Sequence, residues 1–129
     1  LYEASSHGVR IDLLVRGNCS LITGVPGVSD TIRINGIIDR YLEHSRIFIF
    51  ANGGDEKMFI GSADWMPRNL DNRVEVIAPV YDPEIKADLK RVVEYGLKDT
   101  LQGRVVDGTG ENRPWISEDK TAFRSQEEL

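Results

Sequence analysis

Residues 44–62 read HSRIFIFANGGDEKMFIGS, and they are the most informative part of the sequence. Two runs rich in apolar and β-branched residues, 44–50 and 57–62, flank the turn signal Asn52-Gly53-Gly54-Asp55. Runs of this kind on either side of a glycine-rich turn predict a β-hairpin. If the turn centres near Gly53-Gly54, the numbers of paired residues sum to about 107 or 108. That register places Arg46 opposite Ser62 or its neighbour.

The segments around the hairpin predict helices and further strands. Residues 1–8 read as the end of a helix stopped by Gly8. Three segments predict strands, namely 9–16, 31–34 and 73–80. Residues 17–30 are rich in glycine and predict a loop, and residues 36–42 fit either a helix or a strand.

One amphipathic helix is predicted over residues 83–98. Asp82 can cap its first turn, Pro83 suits the first helical position, and apolar residues then recur at helical spacing. Strands that alternate with helices predict an α/β fold, here a mixed β-sheet flanked by helices.

The length of 129 residues fits one domain. We expect residues 1–103 to form the folded module and residues 104–129 a mostly irregular tail from which Trp115 and Phe123 dock onto the core. Because the sequence starts at Leu1 within a helical segment, we expect it to be a fragment of a longer chain.

Charge and composition narrow the possible partners. A net charge of −5 argues against a general nucleic-acid binder. In residues 1–73 all cations but Lys57 are arginines, and the planar guanidinium group favours an anionic ligand. The single cysteine, Cys19, excludes a disulfide framework and a cysteine-built zinc site, which fits a reducing, cytoplasmic setting.

The predicted hairpin gathers a cluster of polar side chains at one end: His44, Arg46, Ser62 and Asp64. A histidine beside a carboxylate has a fixed orientation and a stabilised cationic form. It can attack phosphorus or donate a proton, while an arginine neutralises phosphoryl oxygens. A surface histidine in an ordinary salt-bridged hairpin remains an open alternative.

Several stretches resemble the C-terminal region of bacterial polyphosphate kinases of the first type: YLEHSRI at 41–47, NGGD at 52–55 and SADWMPRNLDNRVE at 62–75. The segments IDLLVRG at 11–17 and GVPG at 24–27 are similar to the same family. The resemblance covers about residues 1–98 and implies a phospholipase D-like module. The phospholipase D signature pairs His-x-Lys with Gly-Ser-x-Asn. Here the corresponding segments are 44–46 and 61–64, with Arg46 in place of the lysine and Asp64 in place of the asparagine.

This resemblance implies an enzyme that reversibly transfers the terminal phosphate of ATP to polyphosphate. The family's phosphorylated histidine lies in the preceding module, outside this chain. His44 matches the second histidine, which contacts nucleotide or acts as an acid. Arg16 and His44 match positions that bind ATP phosphates, and Arg73 matches an arginine of the phosphate tunnel, with Arg46, Ser62 and Asp64 in support.

The resemblance also implies Mg²⁺ as a cofactor, held by residues outside this chain, with ATP and ADP as substrates. It implies the rest of the kinase chain as a partner, a homo-oligomer, and a cytoplasmic protein that can associate peripherally with membranes. By the residues alone, Arg16 ends one predicted strand, His44 begins another and Arg73 starts a third. These groups and Arg46 are therefore predicted to share one rim, where they can position and neutralise a phosphate chain.

Two alternatives differ in what the same residues do. A phosphodiesterase or phospholipase of the same superfamily predicts a lysine at the position of Arg46 and hydrolysis of phosphodiesters. A non-catalytic module predicts binding of anions without a role for His44 in turnover.

Overall fold

The computed structural model describes all 129 residues, which form four α-helices and six strands in two three-stranded sheets. The chain divides into two units. Unit 1 comprises Leu1–Leu42 and Glu94–Leu129, and unit 2 comprises Glu43–Val93. The predicted α/β class is confirmed. The strands lie in two sheets where we expected one, and only the sheet of unit 1 is mixed.

The sheet of unit 1 is centred on its most buried strand. Strand β2, Ile32–Ile37, pairs in parallel with β1, Ile11–Val15, and antiparallel with β6, Gly103–Val105. Ile32, Ile34 and Ile37 are buried, so this strand carries the core of the unit. Strand β2 extends to Ile37, into the segment 36–42 that by sequence fitted either a helix or a strand.

Two short helices belong to unit 1. Helix α1, Tyr2–Ser6, ends where predicted, with Gly8 at φ +82°. Helix α4, Ser125–Glu128, lies near the end of the tail. Residues 104–129 are grouped with residues 1–42 in this unit: Trp115 is buried, and its indole N–H donates to the carbonyl of Leu97 at 2.8 Å.

Unit 2 contains the hairpin. Strand β3, Ile47–Phe50, pairs antiparallel with β4, Lys57–Gly61, and the pairing of Ile47 with Ile60 gives the sum of 107 that the turn predicted. The turn holds Asn52, Gly53 and Gly54 at φ values of +47°, +63° and +100°. Three successive left-handed residues explain why asparagine and glycine stand there.

The rest of unit 2 consists of helix α2, Pro67–Leu70, and strand β5, Ile77–Pro79, which pairs with β4. Helix α3, Pro83–Lys98, matches the predicted bounds, and its residues from Glu94 onward belong to unit 1. The Asp82 side chain accepts hydrogen bonds from the N–H groups of Glu84 and Ile85 at 2.9 and 3.0 Å, so the predicted cap is confirmed.

Three expectations for unit 2 were wrong. His44 lies before strand β3 and does not begin it, and Arg73 lies before β5, which spans only three residues. The apolar runs of the hairpin predict that Phe50 and Ile60 lie in the core, but they are 54% and 42% exposed. Only Met58 and Ala63 are fully buried apolar residues of this unit, because the three-stranded sheet is too narrow to enclose more.

Candidate functional site

The centre of the candidate site is Arg46, which directly precedes strand β3. Its Nε donates to the carboxylate of Asp64 at 3.1 Å, and its Nη1 donates to the backbone carbonyl of His44 at 3.1 Å. The backbone carbonyl of Arg46 accepts a hydrogen bond from the N–H of Gly61 at 2.9 Å, which continues the hairpin ladder by one pair. The prediction that Arg46 lies opposite a neighbour of Ser62 is therefore confirmed.

These contacts fix the backbone at His44 while the residue itself is exposed. The side chains of Arg46 and Asp64 are only 24% and 28% exposed, so their ion pair is more shielded than a surface pair. The result is an accessible imidazole on a backbone held by a partly buried guanidinium.

Ser62 contacts Glu75, a residue that was not part of the predicted cluster. Its hydroxyl donates to the carboxylate of Glu75 and accepts a hydrogen bond from the N–H of Val76 at 3.0 Å. The N–H of Ser62 in turn donates to the carbonyl of Val76 at 3.0 Å. Ser62 therefore joins the two ends of the loop from Ser62 to Val76, which we call the Ser62–Val76 loop.

Glu75 is the residue of this site that sequence reasoning missed. Its second oxygen accepts a hydrogen bond from Nδ2 of Asn69 at 2.9 Å, and Asn69 is 3% exposed. The hydrogen bonds from Ser62 and Asn69, together with the positive charges of Arg73 and Arg46, lower the pKa of Glu75. Its carboxylate thus links the start, the middle and the end of the loop.

The charges of Arg46 and Arg73 thus both lower the pKa of Glu75, and the grouping of these arginines with His44 on one cationic rim stays a prediction. Arg73 itself is exposed. Arg16 directly follows strand β1 in unit 1, so its placement on the same rim as His44 stays a prediction. The sequence offers no direct signal for Glu75, because residues 73–76 lie outside the strands and its contacts with Ser62 and Asn69 depend on the tertiary fold.

Unit 2 also has an exposed aromatic ring, that of Trp65, next to Asp64 in the sequence. Trp65 follows Asp64, is 58% exposed, and stacks on Phe48 with ring centroids 5.6 Å apart and an interplanar angle of 14°. Stacking of this kind holds a side chain in one orientation while one face of the ring stays accessible.

Comparison with known proteins shows which family the chain belongs to. A family model described as polyphosphate kinase C-terminal domain 2 matches residues 1–126. The chain belongs to the polyphosphate kinase C-terminal domain 2 family. The resemblance stated from the motifs is thereby confirmed.

Individual relatives of this polyphosphate kinase domain agree. The chain is 48% identical over 126 residues to a polyphosphate kinase of Klebsiella pneumoniae, which covers 98% of this chain and 18% of that protein. It is 56% identical over 115 residues to a polyphosphate kinase of Thermosynechococcus vestitus, covering 88% and 16% respectively. The chain thus spans less than a fifth of the length of these curated relatives.

A solved structure supports the fold of the domain. The crystal structure of polyphosphate kinase from Porphyromonas gingivalis matches with a TM-score of 0.91 and 44% identity, over 99% of this chain and 20% of that one. The predicted fold class, a phospholipase D-like α/β domain, is confirmed.

The domain's own residues do not form a metal site. No group of three or more His, Cys, Asp or Glu side chains is placed to hold a metal ion. The expectation that Mg²⁺ is held by residues outside this chain stays a prediction. No helix is long and apolar enough to cross a bilayer.

Proposed function

We propose that this chain is the part of a polyphosphate kinase that binds the phosphates of ATP and of the growing chain and supplies the second histidine. The observation that carries the proposal is the arrangement at Arg46, whose guanidinium fixes the backbone of an exposed His44 and pairs with Asp64. The family match, which spans nearly the whole chain, supports the same assignment.

The chemistry assigned to these residues is positioning and charge neutralisation. In the reaction the bond between the terminal phosphorus of ATP and its bridging oxygen breaks, and a phosphorus–nitrogen bond forms on a histidine outside this chain. ADP leaves, and the phosphoryl group then passes to a terminal oxygen of polyphosphate. The transferred group carries its charge on equatorial oxygens, which cationic side chains stabilise.

Each residue has a role within this scheme. His44 contacts the phosphate chain and donates a proton to an oxygen on which charge develops. Arg73 and Arg16 bind phosphate oxygens through their guanidinium groups. Arg46 and Asp64 hold the backbone and the local charge around His44, and Ser62 closes the loop that ends beyond Arg73.

The test replaces His44 and Arg73 separately by alanine in the complete protein that carries this sequence. We expect ATP-driven synthesis of polyphosphate to fall about 100-fold or more for each, the effect of removing one group that stabilises developing charge. The matched controls are His7→Ala, which removes the only other histidine of this 129-residue sequence, and Arg91→Ala, which removes an arginine paired with Asp88 on helix α3. Both controls should retain full activity.

Two results would overturn the proposal. Undiminished synthesis by the His44→Ala protein would favour a module that only docks anions. Hydrolysis of a chromogenic phosphodiester that depends on His44, without polyphosphate synthesis, would favour a phosphodiesterase. The 129-residue chain alone should bind nucleotide weakly and make no polyphosphate, because the phosphorylated histidine in this scheme lies outside it.

A further inference from the structure

In unit 1 the C-terminal tail holds residues 39–41, which precede His44, through the side chains of Arg124 and Gln126. We call this pair of contacts the grip. Both guanidinium nitrogens on one side of Arg124 contact the carboxylate of Asp39: Nε donates to Oδ2 at 3.0 Å and Nη2 donates to Oδ1 at 2.7 Å. The Asp39 side chain is 3% exposed and that of Arg124 is 24% exposed. A bidentate pair with so little access to water fixes both distance and orientation.

A second contact reinforces the first at the neighbouring residues. The backbone N–H of Tyr41 donates to Oε1 of Gln126 at 2.9 Å, and Nε2 of Gln126 donates to the carbonyl of Tyr41 at 2.7 Å. The side-chain amide therefore satisfies both backbone groups of Tyr41, as a paired strand would. The segment 39–41 is held at two points by residues 124 and 126.

The gripping residues are themselves anchored in unit 1. The carboxylate of Asp99, which is fully buried, accepts hydrogen bonds from the N–H and the hydroxyl of Ser125 at 2.8 and 2.7 Å. The ring of Phe123 packs edge-on against Tyr95 with centroids 5.2 Å apart. The tail is therefore a fixed support, and the grip on residues 39–41 is not the contact of a loose terminus.

The chain beyond the grip is short. His44 is three positions after Tyr41 in the sequence, and three residue steps span at most about 11 Å when the chain is fully extended. Fixing Tyr41 therefore restricts where His44 can lie. A displacement of about 1 Å at a reacting group can cost a large factor in rate.

We propose that Arg124 is a positioning residue for the phosphate-transfer site, acting through Asp39 on the segment that carries His44. This inference rests on the proposed function of His44. It predicts that the tail contributes to turnover although it contains none of the phosphate-binding residues.

The experiment compares variants of the complete protein that carries this sequence. The Arg124→Ala protein should show kcat about tenfold lower per folded molecule, with hydrogen exchange of residues 38–44 accelerated. The two single charge-reversal variants, Asp39→Arg and Arg124→Asp, should each show the same tenfold loss of kcat. The double variant D39R/R124D, in which the ion pair is restored with opposite orientation, should regain most of the kcat.

Two matched controls separate positioning from general stability. Arg113→Ala breaks another ion pair of unit 1, that with Asp107, and should leave kcat and the exchange of residues 38–44 unchanged. Glu127→Ala removes only the exposed partner of Arg124 and should also leave both unchanged. If the Arg124→Ala protein does not fold, Gln126→Ala tests the grip at Tyr41 with the ion pair intact, and the same loss of kcat is expected.

The possible outcomes are distinct. A lower melting temperature with unchanged kcat per folded molecule would overturn the inference, since it would show a merely structural role. Failure of the double variant to regain activity above that of the single variants would also overturn it. If the unmodified protein makes no polyphosphate, the proposed function fails, and the exchange of residues 38–44 in the Arg124 variants alone decides whether the grip exists.

Discussion

The Nε of Arg46 donates a hydrogen bond at 3.1 Å to the carboxylate of Asp64, 18 positions further along the sequence, and Nη1 of the same guanidinium donates to the backbone carbonyl of His44. Lysine at this position has no fork and cannot satisfy both acceptors in the same geometry. We expect Arg46→Lys to lower kcat for polyphosphate synthesis about tenfold in the complete protein that carries this sequence, and to lower the free energy of unfolding of the 129-residue chain by about 1 kcal/mol or less. Steady-state kinetics and urea denaturation measure the two effects. Unchanged kcat would contradict this role.

The pKa of Glu75 provides a second prediction, on stability against pH. Because hydrogen bonds from Ser62 and Asn69 and the charges of Arg73 and Arg46 lower this pKa below its ordinary value of 4.5, the ionised form is favoured in the folded state. The stabilisation is present above the unfolded pKa and is lost as the pH falls through the lowered one. Glu75→Gln should therefore show a smaller loss of stability than the unmodified chain on acidification.

Urea midpoints measured at several pH values between about 6 and 3 test this prediction. Glu84→Gln, an exposed carboxylate in the first turn of helix α3, is the control and should follow the unmodified chain closely. Identical pH dependence for the Glu75→Gln protein and the unmodified chain would show that the loop does not depend on this carboxylate.

Gly103 at the start of strand β6 tests the packing of unit 1. A Cβ at this position would lie 2.1 Å from the carbonyl oxygen of Asp99 and 2.6 Å from Oδ1 of Asn35. The first of these atoms belongs to the backbone and cannot move away cheaply, so Gly103→Ala should lower the free energy of unfolding by about 3 kcal/mol. Gly17→Ala, where a Cβ would meet no atom within 4 Å, should change it by less than about 0.5 kcal/mol. Similar urea midpoints for the two variants would contradict the packing.

Asp107 provides a local test of the tail. Its carboxylate accepts hydrogen bonds from the N–H and the hydroxyl of Thr109 and pairs with Arg113, which lowers its pKa to about 2. Thr109→Val removes the hydroxyl bond and keeps the N–H, so the pKa should rise part of the way toward the ordinary value of 3.8. A titration followed by the carbon-13 NMR signal of the carboxyl group measures it. A midpoint that stays at about 2 would show that the hydroxyl does not contribute.

Local patterns were sufficient for the elements whose cause is local. The Gly53-Gly54 turn fixed the register of the hairpin, and Asp82 with Pro83 marked the start of helix α3. The sequence overextended the strands at His44 and Arg73, because apolar alternation does not show where backbone pairing stops.

Contacts between distant residues could not be predicted in this way. Glu75 receives its hydrogen bond from Ser62 only because the intervening loop closes on itself, and Arg124 meets Asp39 across 85 residues. In the sequence, Glu75 and Arg124 look like ordinary charged surface residues. Such pairs depend on the tertiary fold, and a single sequence contains no direct record of it.

The thin core of unit 2 has a consequence for how the chain responds to heating. With Met58 and Ala63 as its fully buried apolar residues, this unit has little hydrophobic stabilisation of its own. Subglobal opening of the hairpin should then require less free energy than melting of the β2-centred sheet. Accelerated hydrogen exchange of residues 47–61 is therefore expected at temperatures where most of the circular dichroism signal of the chain is still present, and cooling should reverse it.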